Sequence, residues 1–370
     1  MINAPSIPAG QALDLLQAGW RAQSQGGLLA SWMLHGRPGI GKTEIVQTLA
    51  TRIGARLFDL RLTTIEPQDL RGLPFFDLER RRTVWFRPED LPDDPSLPSV
   101  LFLDELTAAS PLLQPTVYGL LQERRVGPHQ LPDSCFVVAA GNTIEDGAIA
   151  YEMGTALSDR LIHLNLIAEA DDWLAGHAVP QGLDPAVIAF IRTRPDLLDT
   201  IEWALRRGDV IACTPRSWTR VSALMGAMGD RRLRNIAIAG VLGEAVAAEF
   251  LLVADEIAAT VQLEDMLACA GRERLALYPA SMHGLSALVY ALINRADAPR
   301  LPQIIEIMAE IRDLSAKRGG PCAAMPTAEL CTHGFELLIR KALDRGWQDA
   351  FLDSPAYAAY ADERRAAGLE

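Results

Sequence analysis

The chain has 370 residues, with 35 Lys and Arg against 47 Asp and Glu, a formal charge of −12. That length predicts two or three domains, and 49% hydrophobic residues supply cores for them, which excludes global disorder. The acidic balance argues against a dedicated duplex-DNA binder with a broad basic face, while leaving room for a small local grip on nucleic acid.

Gln11–Gln23 has helical spacing through Leu13, Leu16 and Trp20. Ala9 and Gly10 precede it, so at best a weak Gly cap starts that helix. Short apolar runs then alternate with helical patterns, the signature of a parallel α/β sheet. The strands are read at Ser31–Leu34, Arg56–Leu60, Ser99–Leu103, Cys135–Ala139 and Leu161–Leu166, with helices at Thr43–Ile53 and Leu112–Glu123. Two hairpins interrupt the rhythm. One joins Leu73–Phe76 to Thr83–Phe86 around the charged turn Asp77–Arg82, and Pro74 marks an edge strand. The other spans Arg124–Ser134 and turns at Gly127–Pro128.

Beyond about residue 168 the pattern becomes helical and rich in Ala, Leu and Glu. Helices are expected at Asp171–Ala178, Pro185–Thr193, Trp218–Met228, Leu233–Ala259 and Ile304–Lys317. A Gly319–Pro321 break precedes a further helix at Ala328–Asp344, and the Ala-rich stretch Ala356–Ala367 is expected to fray. The expected architecture is thus an α/β core over 1–167, a helical lid over 168–260 and a C-terminal helical region over 261–370.

No signal peptide is read at Met1–Gly10, which has no basic residue before an apolar core. The longest apolar stretch, Ile236–Val253, is interrupted by Glu244 and Glu249 and falls short of a membrane span of about 20 apolar residues. The cysteines at 135, 213, 269, 322 and 331 are odd in number and mostly far apart, which argues against a disulfide framework and fits a reducing cytoplasm. Cys322, Cys331 and His333 lack a C-x-x-C pair, so packing is preferred to zinc binding.

The chemistry is concentrated in two motifs. Gly36-Arg37-Pro38-Gly39-Ile40-Gly41-Lys42-Thr43 fits G-x-x-x-x-G-K-[ST], follows a strand and opens a helix. Its glycines let backbone N–H groups curl around phosphate oxygens at a helix N-terminus. Lys42 is suited to β- and γ-phosphate charge, and the Thr43 hydroxyl to Mg²⁺. The second motif, Ser99–Glu105, is an apolar strand ending in two carboxylates, at the sheet end where ligands bind. Asp104 is expected in the Mg²⁺ shell, through a water, and Glu105 is expected to orient and polarise the attacking water.

These motifs, followed by Ala139-Ala140-Gly141-Asn142, stand in the order found in AAA+ ATPases, which the chain resembles over about Leu34–Ala227. The resemblance implies ATP and Mg²⁺ as ligands and a P-loop core followed by an all-α lid. It makes Asn142 the sensor-1 residue that helps position the water. It makes Arg160, in Leu157-Ser158-Asp159-Arg160, an arginine finger reaching a neighbouring subunit's γ-phosphate. Arg216, in Thr214-Pro215-Arg216-Ser217-Trp218, resembles the sensor-2 residue at the start of a lid helix, with Pro215 at helix entry.

Within that family the sequence is most similar to the MoxR-like branch. Thr63–Gly72 with the hairpin after it resembles that branch's insertion, and Arg124–Leu131 its hairpin before sensor 1. The resemblance points both at the pore of a ring, usually a hexamer, which remodels a protein client with a separate von Willebrand factor A partner. Phe75, Phe76, Trp85 and Phe86 are candidate client contacts, with cross-strand packing the expected role of at least half of them. Arg80–Arg82 reads as a solvated turn before an anionic-ligand contact. Two other readings stay open. One is a nucleic-acid motor or restriction subunit, against which the acidity and the lack of a DNA-binding module weigh. The other is an ATP-binding assembly switch with little turnover, against which Glu105, Asn142 and Arg160 together weigh. Residues beyond about 230 match no pattern.

Overall fold

The computed structural model describes residues 3–143, 158–159, 161–318 and 324–366. Arg160, Cys322, the 319–321 break and Ala367 lie outside the described residues. The chain divides into two compact units. The first comprises Met1–Asp172, Asp199–Val210 and Thr214–Arg216, and the second Trp173–Leu198, Ile211–Cys213 and Ser217–Glu370.

The first unit is built on a six-stranded parallel sheet. In chain order its strands are β1 (Ser6–Ile7), β2 (Ser31–His35), β3 (Arg56–Arg61), β6 (Ser99–Asp104), β9 (Cys135–Gly141) and β10 (Leu161–Leu166), while β4 (Pro74–Asp77) and β5 (Arg82–Trp85) form one hairpin and β7 (Arg125–Val126) and β8 (His129–Gln130) another. The spatial order is β1-β10-β2-β9-β6-β3. The central strands β2, β6 and β9 are buried along their whole length, as continuous apolar runs require when both sheet faces are covered. Edge strand β3 keeps Arg56, Asp59 and Arg61 exposed.

Alternation along each strand divides the core in two. Leu101, Leu103, Val137 and Ala139 face one layer with Leu113, Val117 and Leu120. Val100, Phe102, Val138 and Ala140 face the other with Leu16, Val46 and Leu49. Full burial of one such Leu or Phe side chain is worth about 1.5–3 kcal/mol. Helices α1 (Ala9–Gly26) and α2 (Lys42–Arg52) belong to the second layer. The short helices α3 (Pro67–Arg71) and α4 (Gln114–Tyr118) belong to the first.

Several boundaries differ from the sequence expectations. Helix α1 begins earlier, behind Pro8, and its first turn is capped from afar: the Gly10 N–H donates to both carboxylate oxygens of Asp172, at 3.0 and 3.2 Å. The helix expected over Leu112–Glu123 is shorter, with a π-turn over Gly119–Glu123 that ends at Arg124 in a left-handed conformation (φ 52). In the β4–β5 hairpin, Phe75 and Phe86 sit ring to ring at 5.2 Å and the Arg71 guanidinium covers Trp85 at 4.3 Å. Phe75, Phe76 and Phe86 nonetheless remain more than half exposed.

Every element among the described residues of the second unit is a helix. Pro185–Thr193 packs against Met282–Arg295 and Glu244–Thr260, and Phe190, Trp218 and Phe250 form an aromatic cluster with ring separations of 5.4–5.6 Å. The Trp218 indole N–H donates to the Leu197 carbonyl at 2.8 Å. The single helix expected over Leu233–Ala259 is two, Arg231–Leu242 and Glu244–Thr260. They break at Gly243, whose φ of 83° and ψ of 154° suit a residue without Cβ. The Ala-rich stretch near the C-terminus is helical over Pro355–Ala366. Cys331 is buried, with its thiol donating to the Met308 carbonyl and its pKa pushed up to about 12 by that burial, while His333 meets the Tyr290 hydroxyl. No described helix is long and apolar enough to cross a membrane.

Candidate nucleotide site

The P-loop runs from the end of β2 into α2. Gly39 (φ 79) and Gly41 (φ 105) are both left-handed, which is how the loop turns its backbone inward before the helix. Ile40 between them is buried and anchors the loop in the core. Gly41 is the N-cap residue of α2 and brings no side-chain cap, so the first-turn N–H groups are left for another acceptor.

Lys42 Nζ donates to the carbonyls of Gly36 (2.6 Å) and Arg37 (3.1 Å) and to Oδ1 of Asn142 (2.8 Å). This meeting follows from strand order. β9 lies between β2 and β6, with Gly141 in register with His35, so Asn142 emerges beside the P-loop. The Thr107 hydroxyl, in the turn that follows β6, donates to the Asn142 carbonyl at 2.8 Å and fixes the residue.

At the end of β6, Asp104 is 7% exposed. Its Oδ2 lies 3.4 Å from the Thr43 hydroxyl and its Oδ1 accepts the Glu105 N–H at 2.9 Å. Glu105 itself is left-handed (φ 59, ψ 34), a conformation that costs a non-glycine residue about 1–3 kcal/mol. Its carboxylate accepts a hydrogen bond from the Thr63 hydroxyl. Arg61 stands 4.0 Å from Asp104 and 3.9 Å from Glu105. Burial and the Asp104 charge raise the pKa of Asp59, two residues earlier on β3, with Arg61 opposing.

Two further chain segments of the same unit reach the loop. Arg37 forms ion pairs with Asp199 and Glu202, each at 3.4 Å. The Arg216 N–H donates to the Gly39 carbonyl at 3.2 Å, so Arg216 stands at the P-loop with its side chain exposed. Pro38 is exposed at the loop's tip.

Thus Lys42, Thr43, Asp104, Glu105, Asn142 and Arg216 gather at one end of the sheet, while Arg160 lies outside the described residues. The sequence marks Thr63 only as the start of an insertion, and does not single out Arg61, Thr107, Asp199 or Glu202. Their roles depend on which strands and segments become neighbours, for which the sequence carries no local signal. The set suits a Mg²⁺–nucleotide: a hydroxyl and a buried carboxylate offer hard oxygen ligands, and one ammonium sits among acceptors that phosphate oxygens can replace. Among the described residues no cluster of three His, Cys, Asp or Glu could hold a metal by itself.

Residues 31–163 match the family model described as "ATPase family associated with various cellular activities (AAA)". The ATPase family gene 2 protein homolog B of Bos taurus is 36% identical over 115 residues, 31% of this chain and 12% of that protein. The uncharacterized protein YeaC of Bacillus subtilis is 29% identical over 136 residues, 35% of this chain and 40% of that one. The chain therefore spans less than half the length of either relative. Among solved structures, the RuvB Holliday junction branch migration motor of Thermotoga maritima aligns over 90% of this chain and 86% of its own, at 14% identity and a TM-score of 0.35. A likeness at that level speaks to neither ligand nor partner.

Proposed function

We propose that the chain is a MoxR-like AAA+ ATPase that binds ATP with Mg²⁺ and hydrolyses it at the interfaces of a homo-oligomeric ring, a hexamer in this reading, in the cytoplasm. The observation that carries it is the convergence of Lys42, Asn142, Asp104 and Glu105 at the ends of three adjacent strands. Backbone N–H groups of Gly36–Thr43 cradle the phosphates, and Lys42 exchanges its carbonyl and Asn142 partners for phosphate oxygens. Thr43, and Asp104 through a water, would hold Mg²⁺, which would supply neutralisation of phosphate charge. Glu105 takes the proton of the attacking water, and Asn142 helps to orient that water. Arg160 of a neighbouring subunit and Arg216 of the same subunit stabilise the charge that develops as the terminal phosphoryl bond breaks and ADP leaves.

In the same reading, residues 168–260 act as a lid and 261–370 as a further helical region. The exposed Phe75, Phe76 and Phe86 of the β4–β5 hairpin support contact with a protein client, and a separate von Willebrand factor A protein is the partner. The test of the enzymatic core is phosphate release by the purified protein. Release from ATP is expected with Mg²⁺ and not with EDTA, and equal rates in the two would contradict the site.

A further inference from the structure

His35 ends β2, and His163 lies in β10, the strand paired with β2 on the side away from β9. Their rings are within 12° of coplanar, with centroids 5.0 Å apart and His35 Nε2 2.7 Å from His163 Nδ1. The other nitrogen of His163, Nε2, lies 2.8 Å from the Ser158 carbonyl oxygen. A carbonyl only accepts, so His163 Nε2 carries a proton and donates it. A neutral imidazole has one such proton, which leaves His163 Nδ1 bare to accept from His35 Nε2–H. One carbonyl thereby dictates both tautomers. His35 is 3% exposed, and its burial, His163 and the Lys42 ammonium of α2 all favour its neutral form.

The pairing of β10 with β2 runs from Leu161 opposite Ser31 to Asn165 opposite His35. Ser158 precedes that ladder, so strand pairing does not hold it, whereas the His163 ring does. One end of the imidazole relay is the residue before Gly36 of the P-loop, and the other is the backbone two residues before Arg160 in sequence. We propose that His163 is a positioning residue: through His35 it ties the Ser158 backbone to the strand that feeds the P-loop, holding the start of the Arg160 segment in register with the subunit's own nucleotide loop. The proposal rests on the ring-ATPase reading and adds to it a link between the site a subunit owns and the arginine it lends.

His163→Leu fills the space and makes neither bond. His163→Gln offers an amide N–H to Ser158 and an amide oxygen to His35. The experiment measures kcat, KM, affinity for a non-hydrolysable ATP analogue and melting temperature for wild type and both variants, with long-range nitrogen–proton NMR of the wild-type imidazoles. His163→Leu is expected to lose at least about tenfold in kcat while analogue affinity stays within about twofold, with most of the loss restored in His163→Gln. Both wild-type rings should carry their proton on Nε2. Wild-type kcat in His163→Leu, a parallel loss of kcat, affinity and melting temperature, or an Nδ1-protonated His163 would each overturn the proposal. A wild-type protein without turnover would instead sink the ATPase reading, and this proposal with it.

Discussion

Lys42 Nζ and Asn142 Oδ1 are 2.8 Å apart, so the P-loop lysine and the residue that follows β9 are in direct hydrogen-bond contact. The contact joins two chain positions a hundred residues apart and exists because β9 is inserted between β2 and β6. In the proposed mechanism, this contact is what places Asn142 beside the lysine that binds phosphate.

The two partners should fail differently. Lys42→Ala is expected to weaken ATP binding measurably, since the loop loses its ammonium. Asn142→Ala is expected to leave ATP affinity near wild type and cut kcat by about 10²-fold, the scale of one lost transition-state hydrogen bond. Fluorescent-nucleotide titration beside a steady-state assay separates the two, and a binding defect in Asn142→Ala equal to that of Lys42→Ala would contradict the division of roles.

Thr63 should set the orientation of the Glu105 carboxylate, which accepts from its hydroxyl. A hydrogen bond to a charged group is worth about 1.5–3 kcal/mol, so Thr63→Val is expected to change kcat by about ten- to a hundredfold. Whether the change is a loss or a gain tells whether the bond serves the active or the resting state; unchanged kcat would remove Thr63 from the mechanism.

Arg160 is proposed to act at the neighbouring subunit's site, so mixing tests it. Arg160→Ala and Lys42→Ala proteins should each lose turnover, with about 10³–10⁵-fold the scale for an arginine finger. Mixed rings should regain activity at interfaces that combine an intact P-loop with an intact finger. No recovery in rings verified as mixed would count against action between subunits.

His35 should make stability depend on pH. Its folded-state pKa is lowered from 6.5 to about 4, first by burial, then by His163 and Lys42. Between those values the unfolded chain binds more protons than the folded one, so stability rises with pH through the window and is lost as pH falls through it. The contribution is about 3 kcal/mol at most, present above pH 6.5 and exhausted near pH 4. His35→Gln should flatten the urea-derived stability difference between pH 7 and pH 5, and a slope identical to wild type would exclude His35 as its source.

The central strands were legible because burial on both faces demands continuous apolar runs, as in Val100–Leu103 and Phe136–Ala140. The P-loop and the Asp104-Glu105 pair were legible because their chemistry is written in consecutive residues. Strand β1, two residues long, has no periodicity to read. Met282–Arg295 was passed over because a helix buried nearly all round lacks an amphipathic stripe. The Asp172 cap of α1 and the Thr63 contact of Glu105 are products of tertiary neighbourhood, which no local pattern encodes.

In the proposed mechanism Glu105 activates water for ATP hydrolysis. The most direct measurement incubates wild type and Glu105→Gln with Mg²⁺ and radiolabelled ATP, then identifies the nucleotide retained on the protein. ADP and free phosphate are expected from wild type, and unhydrolysed ATP retained by Glu105→Gln with turnover lowered about 10²–10⁴-fold. Equal phosphate release by the two proteins would contradict that mechanism.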